Sequence, residues 1–211
     1  MYDRAKEQQK EIATIKERTI HLNLSDADCK RISTYAAKAN ITVSQLLESF
    51  IGDLVNGTYT NGSDERDCAQ RWFERCGYGM YSEKTFLRYI LEEGADVEFL
   101  LNGLEGIKKS KELIQMLTEE LQKEIDRQRE NPEYQYEWAE EDKECIRTEQ
   151  EELDAAILSV KEWWEEYQAW KKQKNWWDVG EDTAERTFDE ELTIIQEWWN
   201  TYRSLLGTET E

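Results

Sequence analysis

The cysteines and the single histidine are the residues whose chemistry would be easiest to recognise in this chain. Cys29, Cys68, Cys76 and Cys145 form no CxxC pair, and His21 is the only histidine. A zinc site needs closer spacing and more ligands than these residues offer. A Cys68–Cys76 disulfide stays open as an alternative, but scattered thiols in a chain without a targeting segment are typical of a reduced, cytoplasmic protein. We therefore expect no metal, no cofactor and a cytoplasmic location.

Catalytic motifs give no further candidate. The sequence contains no P-loop, no dinucleotide fingerprint, no GxSxG motif and no HExxH motif. A single histidine removes most acid–base and metal schemes, and acidic pairs on amphipathic helices are most often a solvated face. The chain is therefore predicted not to be an enzyme, and no catalytic residue is assigned.

Charge divides the chain into two parts. Its 211 residues include 47 acidic and 27 basic side chains, a formal net charge of -20. Residues 1–62 hold eight basic and eight acidic residues, so the whole acidic excess lies in residues 63–211. The stretch NGTYTNGSDE, residues 56–65, contains two Asn-Gly pairs and indicates a linker between the two parts.

Polar and apolar side chains alternate over residues 19–24, which predicts a half-buried strand. Ser25 follows as a helix N-cap, and Asn40 suits the left-handed residue that would end that helix. Thr42 then caps a second helix. One strand and two helices bury too little surface alone, so this module is predicted to form an intertwined homodimer.

This order of one strand and two helices resembles the ribbon-helix-helix family of DNA-binding proteins, of the Arc and MetJ type, over residues 17–56. In that family the outward side chains of a two-stranded ribbon read base edges in the major groove, and the start of the second helix holds a phosphate. No Lys or Arg lies on the outward face of this strand, and a ribbon that only dimerises is the alternative. The implied DNA-binding residues are Thr19, His21, Asn23, Thr42, Val43 and Ser44.

The rest of the chain predicts acidic helices. Apolar residues at three- and four-residue steps mark long helices over residues 106–131, 136–173 and 183–206, and Pro132 ends the first of them. Short connections between these helices suggest an antiparallel bundle or coiled coil. This part of the chain resembles uncharacterised accessory proteins of Firmicutes phages and mobile elements.

The predicted fold class is therefore mainly α, with an N-terminal ribbon-helix-helix followed by an acidic α-helical domain of long bundle helices. The expected divisions are a polar N-terminal arm (1–16), the ribbon-helix-helix (17–56), a linker (57–63), a small helical subdomain (64–102) and an acidic, Trp-rich helical bundle (103–211).

Tryptophans and carboxylates of the last two helices are the candidate partner-binding residues. The phrases EWWEEY (162–167) and EWWNTY (197–202) place two Trp about 100° apart on a helix, so one of each pair is expected at the edge of the core. These aromatic residues either close the seams of the bundle or form an anchor patch for a partner. The candidate residues are Trp163, Trp170, Trp176, Trp177, Trp198, Glu162, Glu165, Glu166, Glu190 and Glu191.

Two functions fit these observations. In the first, a homodimeric, non-enzymatic protein of a mobile element binds double-stranded DNA at an operator or transfer origin, and its acidic domain binds a basic protein. In the second, the acidic domain imitates nucleic acid and inhibits a basic, nucleic-acid-binding defence nuclease, such as a CRISPR effector or restriction enzyme. The N-terminal module would then dimerise the inhibitor or repress its own gene. Residues 130–211 hold 24 acidic and eight basic residues, more excess charge than solubility requires. No membrane partner is expected.

Overall fold

The computed structural model describes residues 4–78, 83–173 and 185–207, which form eight α-helices and no strand. The chain divides into two compact units: unit 1 comprises residues 1–83, 176–181 and 200–211, and unit 2 comprises residues 84–175 and 182–199. None of the described helices is both long and apolar enough to cross a membrane. The helices are α1 (Arg4–Ala13), α2 (Asp26–Lys38), α3 (Val43–Leu54), α4 (Ser63–Arg75), α5 (Phe86–Glu92), α6 (Val97–Glu130), α7 (Ala139–Lys172) and α8 (Phe188–Leu206).

The predicted strand over residues 19–24 is not present, so the ribbon-helix-helix fold class is wrong, although the prediction of a mainly α chain agrees with the structure. Residues 15–25 have no regular secondary structure between α1 and α2. The backbone N–H and C=O groups of a strand need a neighbouring strand, and the described ranges of this chain contain none. The apolar side chains of Ile20, Leu22 and Leu24 consequently stay about half exposed, at 49–56%.

The two helices that follow this segment begin and end where the sequence predicts. Ser25 accepts a hydrogen bond from a backbone N–H of the first turn of α2. Thr42 and Gln45 form a complete capping box at the start of α3, each side chain accepting from the backbone N–H of the other residue. Asn40 has a φ of 58°, the left-handed conformation in which a helix commonly ends. Local signals therefore fix α2 and α3.

The predicted linker at residues 57–63 is tied to α3. The buried Asp53 carboxylate accepts hydrogen bonds from both Asn61 N and Asn61 Nδ2, each 2.8 Å long. A Cβ atom on Gly52 would lie 2.3 Å from the Tyr59 carbonyl oxygen, so the loop can pass this close only over a glycine. The loop is therefore part of the packing of α3 against α4.

Unit 2 is built on two 34-residue helices, α6 and α7, that pack against each other and are joined by a short turn. The boundary that the sequence predicts between residues 102 and 103 lies inside α6, which is continuous there. Gly103 and Gly106 do not interrupt the helix, and a Cβ on either would meet nothing within 4 Å. The core forms where α5, the start of α6, the end of α7 and residues 188–199 of α8 meet. Its buried members are Phe86, Ile90, Val97, Leu100, Tyr167 and Ile195.

The remaining parts of α6 and α7 form what we call the arm, residues 110–157 including the connecting turn. Leu121 and Leu153 are the only buried residues that the structure shows in this range. Met116 and Leu158, at or next to the arm, are about half exposed. The arm is therefore a pair of helices with a narrow apolar seam and two large polar faces.

Candidate protein-binding site

The turn between α6 and α7 is ordered by its own hydrogen bonds. Asn131 ends α6, and its carbonyl oxygen accepts a hydrogen bond from Tyr134 N at 2.9 Å. The Asn131 side-chain oxygen accepts from Glu133 N at 3.2 Å. Pro132 has no N–H to donate, and it cannot continue the helix. The chain therefore reverses within residues 131–138 in a defined conformation.

Two tyrosines fasten this turn to both helices. The Tyr134 hydroxyl donates to Glu124 of α6 at 2.6 Å, and the Tyr136 hydroxyl donates to Asp142 of α7. Arg127 supports the first contact because its guanidinium lies 5.6 Å from the centre of the Tyr134 ring. The hydrogen bond to Asp142, together with burial and the charge of that carboxylate, raises the pKa of Tyr136 to about 12. The Tyr136 hydroxyl therefore stays protonated and donating at neutral pH.

Trp138 follows these tyrosines and has no comparable packing. It occupies the N-cap position of α7 without a side-chain capping bond, and 63% of its surface is exposed. It is the most exposed of the tryptophans that the structure describes; Trp72 of unit 1 is the next, at 47%. A large indole ring on a fixed turn is the type of residue that anchors protein interfaces.

Negative charge surrounds this tryptophan. Residues 131–154, which we call the tip, hold ten acidic and two basic side chains. Both basic residues are bound by neighbouring carboxylates of α7: Lys143 pairs with Glu140 at 2.7 Å, and Arg147 pairs with Glu144 and Glu151 at 2.5 and 2.9 Å. The hydrogen bond and charge of Arg147 lower the pKa of Glu144, so this carboxylate is ionised at neutral pH.

Several other carboxylates of the tip have no cation beside them. Glu141 and Glu152 project from the same flank of α7, and both are exposed. An open concavity on this flank is lined by Glu140, Glu141, Glu144, Cys145, Thr148 and Glu149. In the described part of the chain, no ion-pair partner lies within 4.0 Å of Glu133, Glu137, Glu141, Glu149 or Glu152.

The tryptophans that the sequence proposes for partner binding lie mainly at the edge of the core of unit 2. Trp163 packs near Phe99, with tilted rings whose centroids are 6.1 Å apart. Trp170 packs against Tyr89 at 5.7 Å and is half-buried. Trp198, also half-buried, packs on the buried core cluster. Trp176 and Trp177 lie outside the described residues.

The carboxylates proposed with them have different surroundings. Glu162 and Glu165 are exposed, and the exposed Glu166 accepts a hydrogen bond from Tyr89 at 3.1 Å. Glu190 accepts from Thr187 N at 2.7 Å and so caps the start of α8. The structure therefore leaves Glu162 and Glu165 exposed outside the tip, and Glu165 pairs with Lys161 at 3.6 Å.

Glu191 of α8 is fully buried and accepts hydrogen bonds from α5 and α7. Its Oε2 atom accepts a hydrogen bond from Phe86 N at 2.8 Å, which satisfies the first N–H of α5. Its Oε1 atom accepts from the Tyr167 hydroxyl at 2.8 Å and lies 3.8 Å from Arg186. A buried carboxylate with these partners is a structural group rather than a surface for a second protein.

The residues that the ribbon-helix-helix resemblance implies for DNA binding are spread over two elements of unit 1. Thr19, His21 and Asn23 are exposed in the segment without regular structure. The side chain of Thr42 is engaged in its capping box, while Val43 is half-buried and Ser44 is exposed at the start of α3. The first three residues share a segment, but no strand pair presents them together.

Sequence reasoning missed Trp138. The signal lies in NPEYQYEWAEED, residues 131–142, where a tryptophan stands between two helices, outside either apolar stripe and among five acidic residues.

Within the described residues, no group of three or more His, Cys, Asp or Glu side chains is arranged to hold a metal ion. In comparisons with protein-family models, curated proteins and solved structures, nothing matched this chain.

Proposed function

We propose that this chain is a non-enzymatic protein that binds a basic, nucleic-acid-binding protein through the tip of its arm. The observation that carries the proposal is the exposure of Trp138, 63%, on a turn that two tyrosine hydroxyls hold in place. The surrounding tip has ten acidic and two basic residues. An aromatic anchor in a field of one sign is a combination suited to a partner of the opposite sign.

The charges and the tryptophan would act at different stages of binding. Carboxylates along α7 attract a basic surface over a distance of about one Debye length, roughly 8–10 Å at physiological salt, and accelerate the encounter. Trp138 then supplies short-range apolar contact once the surfaces meet. Because the turn is already ordered, little conformational entropy is lost when the partner binds.

A nucleic-acid-binding groove fits this chemistry better than a scattered basic surface. Such a groove carries rows of Lys and Arg that normally meet phosphates. Carboxylates on one flank of α7 repeat at steps of about 5–6 Å, and they would present a comparable row of negative charge. A protein that occupies the groove would displace DNA from it, which supports inhibition of a nuclease as the outcome.

Displacement of DNA tests this proposal. Labelled duplex DNA would be bound to each member of a panel of purified restriction and CRISPR nucleases, and its fluorescence anisotropy followed as the full-length chain is added. We expect at least one nuclease to release its DNA. For the double variant Glu141→Lys/Glu152→Lys, the protein concentration that releases half of the DNA should then be at least about tenfold higher, in line with the loss of close charge pairs.

The matched control changes the net charge by the same amount at a different place. Glu105→Lys/Glu112→Lys reverses two exposed carboxylates of α6 outside the tip, and its displacement curve should stay close to that of the parent chain. If none of the nucleases released its DNA, the result would contradict the proposal. Equal weakening by both double variants would show that total charge, and not the tip, governs binding.

DNA binding by unit 1 stays a prediction. Thr19, His21 and Asn23 are exposed and available, but the strand pair expected to carry them into the major groove is not present. Titration of the full-length chain and of its Thr19→Ala/His21→Ala/Asn23→Ala variant against DNA from its own promoter region would test it. Equal binding of both proteins would contradict the assignment of these residues.

A further inference from the structure

Unit 1 has no large buried apolar side chain among its described residues. Among its described residues only Ala36, Asp53 and Ala69 are buried, and none of the three is a large apolar side chain. Ordering a residue costs roughly 1–2 kcal/mol of backbone entropy, which apolar burial must offset. The apolar side chains of α3 and α4 therefore need a cover that the described residues of unit 1 do not provide.

Four aromatic rings in the described part of this unit form a connected, partly exposed surface. Phe50 and Trp72 meet edge to face with centroids 5.3 Å apart, and Tyr78 lies 6.3 Å from Trp72 and 5.4 Å from Phe73. The four side chains are 38–60% exposed although they touch one another. We call this surface the aromatic face. A connected patch of this kind marks an interaction site, whereas single exposed hydrophobic residues do not.

We propose that a second copy of this chain covers the aromatic face, so that the protein pairs with itself through α3 and α4. The proposal is independent of the function assigned to the tip. The sequence predicts a homodimer through residues 17–56; the aromatic face includes α3 from that range, but three of its four rings lie outside it.

Charge favours a second copy over other occupants. The first 83 residues hold eleven basic and thirteen acidic side chains, so two such surfaces approach with little net repulsion. Residues 84–211 hold 16 basic and 34 acidic side chains, and pairing through that part would bring two strongly negative surfaces together. Single-stranded nucleic acid also stacks on aromatic rings, but the backbone of a nucleic acid needs an excess of positive charge that the first 83 residues do not have.

The available area is compatible with a two-fold dimer. Aromatic side chains bury about 150–250 Å² each when covered, so four half-exposed rings supply roughly 300–500 Å² per copy. Ile51 of α3 and Val55, the residue that follows this helix, are 41% and 65% exposed and add to this area. The total approaches the roughly 800 Å² per partner of a standard interface. A two-fold axis brings the same patch of both copies together, as a self-complementary contact requires.

Sedimentation velocity of the full-length chain over a range of concentrations tests the proposal. We expect a concentration-dependent dimer, and Trp72→Ser should raise its dissociation constant by about tenfold or more, as loss of a central aromatic anchor does. The matched control is Phe99→Ser, which removes an aromatic side chain of unit 2 that is 67% exposed, and it should leave the dimer unchanged. A monomer at every concentration, or equal effects of the two variants, would overturn the proposal.

A cross-linking experiment avoids any change to the aromatic face itself. Cys68 and Cys76 are exposed, and their positions four residues before and after Trp72 put them on its side of α4. In a Cys29→Ser/Cys145→Ser variant, a short bismaleimide should join two copies through these thiols. The complementary Cys68→Ser/Cys76→Ser variant should give little cross-linked dimer. Cross-linking of the second variant but not of the first would overturn the proposal.

Discussion

The hydroxyl of Tyr167 offers a direct test of the buried network in unit 2. The side chain is fully buried, and its oxygen lies 2.8 Å from Glu191 Oε1 and 2.9 Å from the Lys84 carbonyl oxygen. Tyr167→Phe removes the donor without opening a large cavity. A hydrogen bond to a charged group contributes about 1.5–3 kcal/mol, and Glu191 keeps its bond from Phe86 N. We therefore expect the free energy of unfolding to fall by about 2 kcal/mol.

Urea unfolding followed by tryptophan fluorescence would measure this change. The slope of the unfolding free energy against urea should stay constant, because the variant buries nearly the same surface. Tyr35→Phe is the matched control: this tyrosine is 73% exposed in unit 1, and its replacement should change stability by less than about 0.5 kcal/mol. A Tyr167→Phe variant as stable as this control would refute the role assigned to the hydroxyl.

Three further predictions concern local features. Gly52→Ala should destabilise unit 1 by about 1–3 kcal/mol in urea unfolding, because its Cβ would meet the Tyr59 carbonyl oxygen at 2.3 Å; wild-type stability would contradict this contact. Asn40→Ala should cost about 1 kcal/mol because φ is 58° there, whereas Asn40→Gly should cost nothing; equal effects would rule out backbone strain. Because the folded pKa of Tyr136 is raised to about 12, its contribution to stability is complete below its ordinary value of 10.0 and is lost as the pH rises through about 12. Ultraviolet difference titration against Tyr136→Phe should show that midpoint, and Asp142→Ala should lower it towards 10; an unchanged midpoint would contradict the hydrogen bond as its cause.

Helices could be predicted from the sequence because their signals are local. Ser25 and Thr42 cap helices where expected, and Pro132 follows the end of α6. The predicted strand at residues 19–24 was wrong because a strand depends on a partner that alternation along one segment does not supply. The packing of residues 57–63 could not be predicted from the sequence either. Asn-Gly pairs indicate a turn, but they do not indicate the hydrogen bonds to Asp53 that fix its conformation.

The candidate site could be predicted only in part. The composition showed which part of the chain is acidic, but it could not distinguish exposed carboxylates from buried ones. Glu191 lies in the core because the Tyr167 hydroxyl and Phe86 N donate hydrogen bonds to it there. The Trp-Trp pairs of the sequence predicted a partner-binding role for Trp163, but this side chain packs near Phe99. Trp138 stands alone in a turn, and its exposure depends on how the neighbouring tyrosines are bound, which is a property of the tertiary structure.

The measurement that tests the central claim most directly is the affinity of the Trp138→Ala variant for a nuclease that releases its DNA when the parent chain is added. Phe99→Ala serves as the matched control, because it removes an aromatic ring of similar exposure outside the tip. We predict that Trp138→Ala weakens the complex by about 30-fold, the effect of losing an interface anchor of about 2 kcal/mol, while the control binds like the parent chain. Unchanged affinity of Trp138→Ala would contradict the assignment of the tip as the binding site.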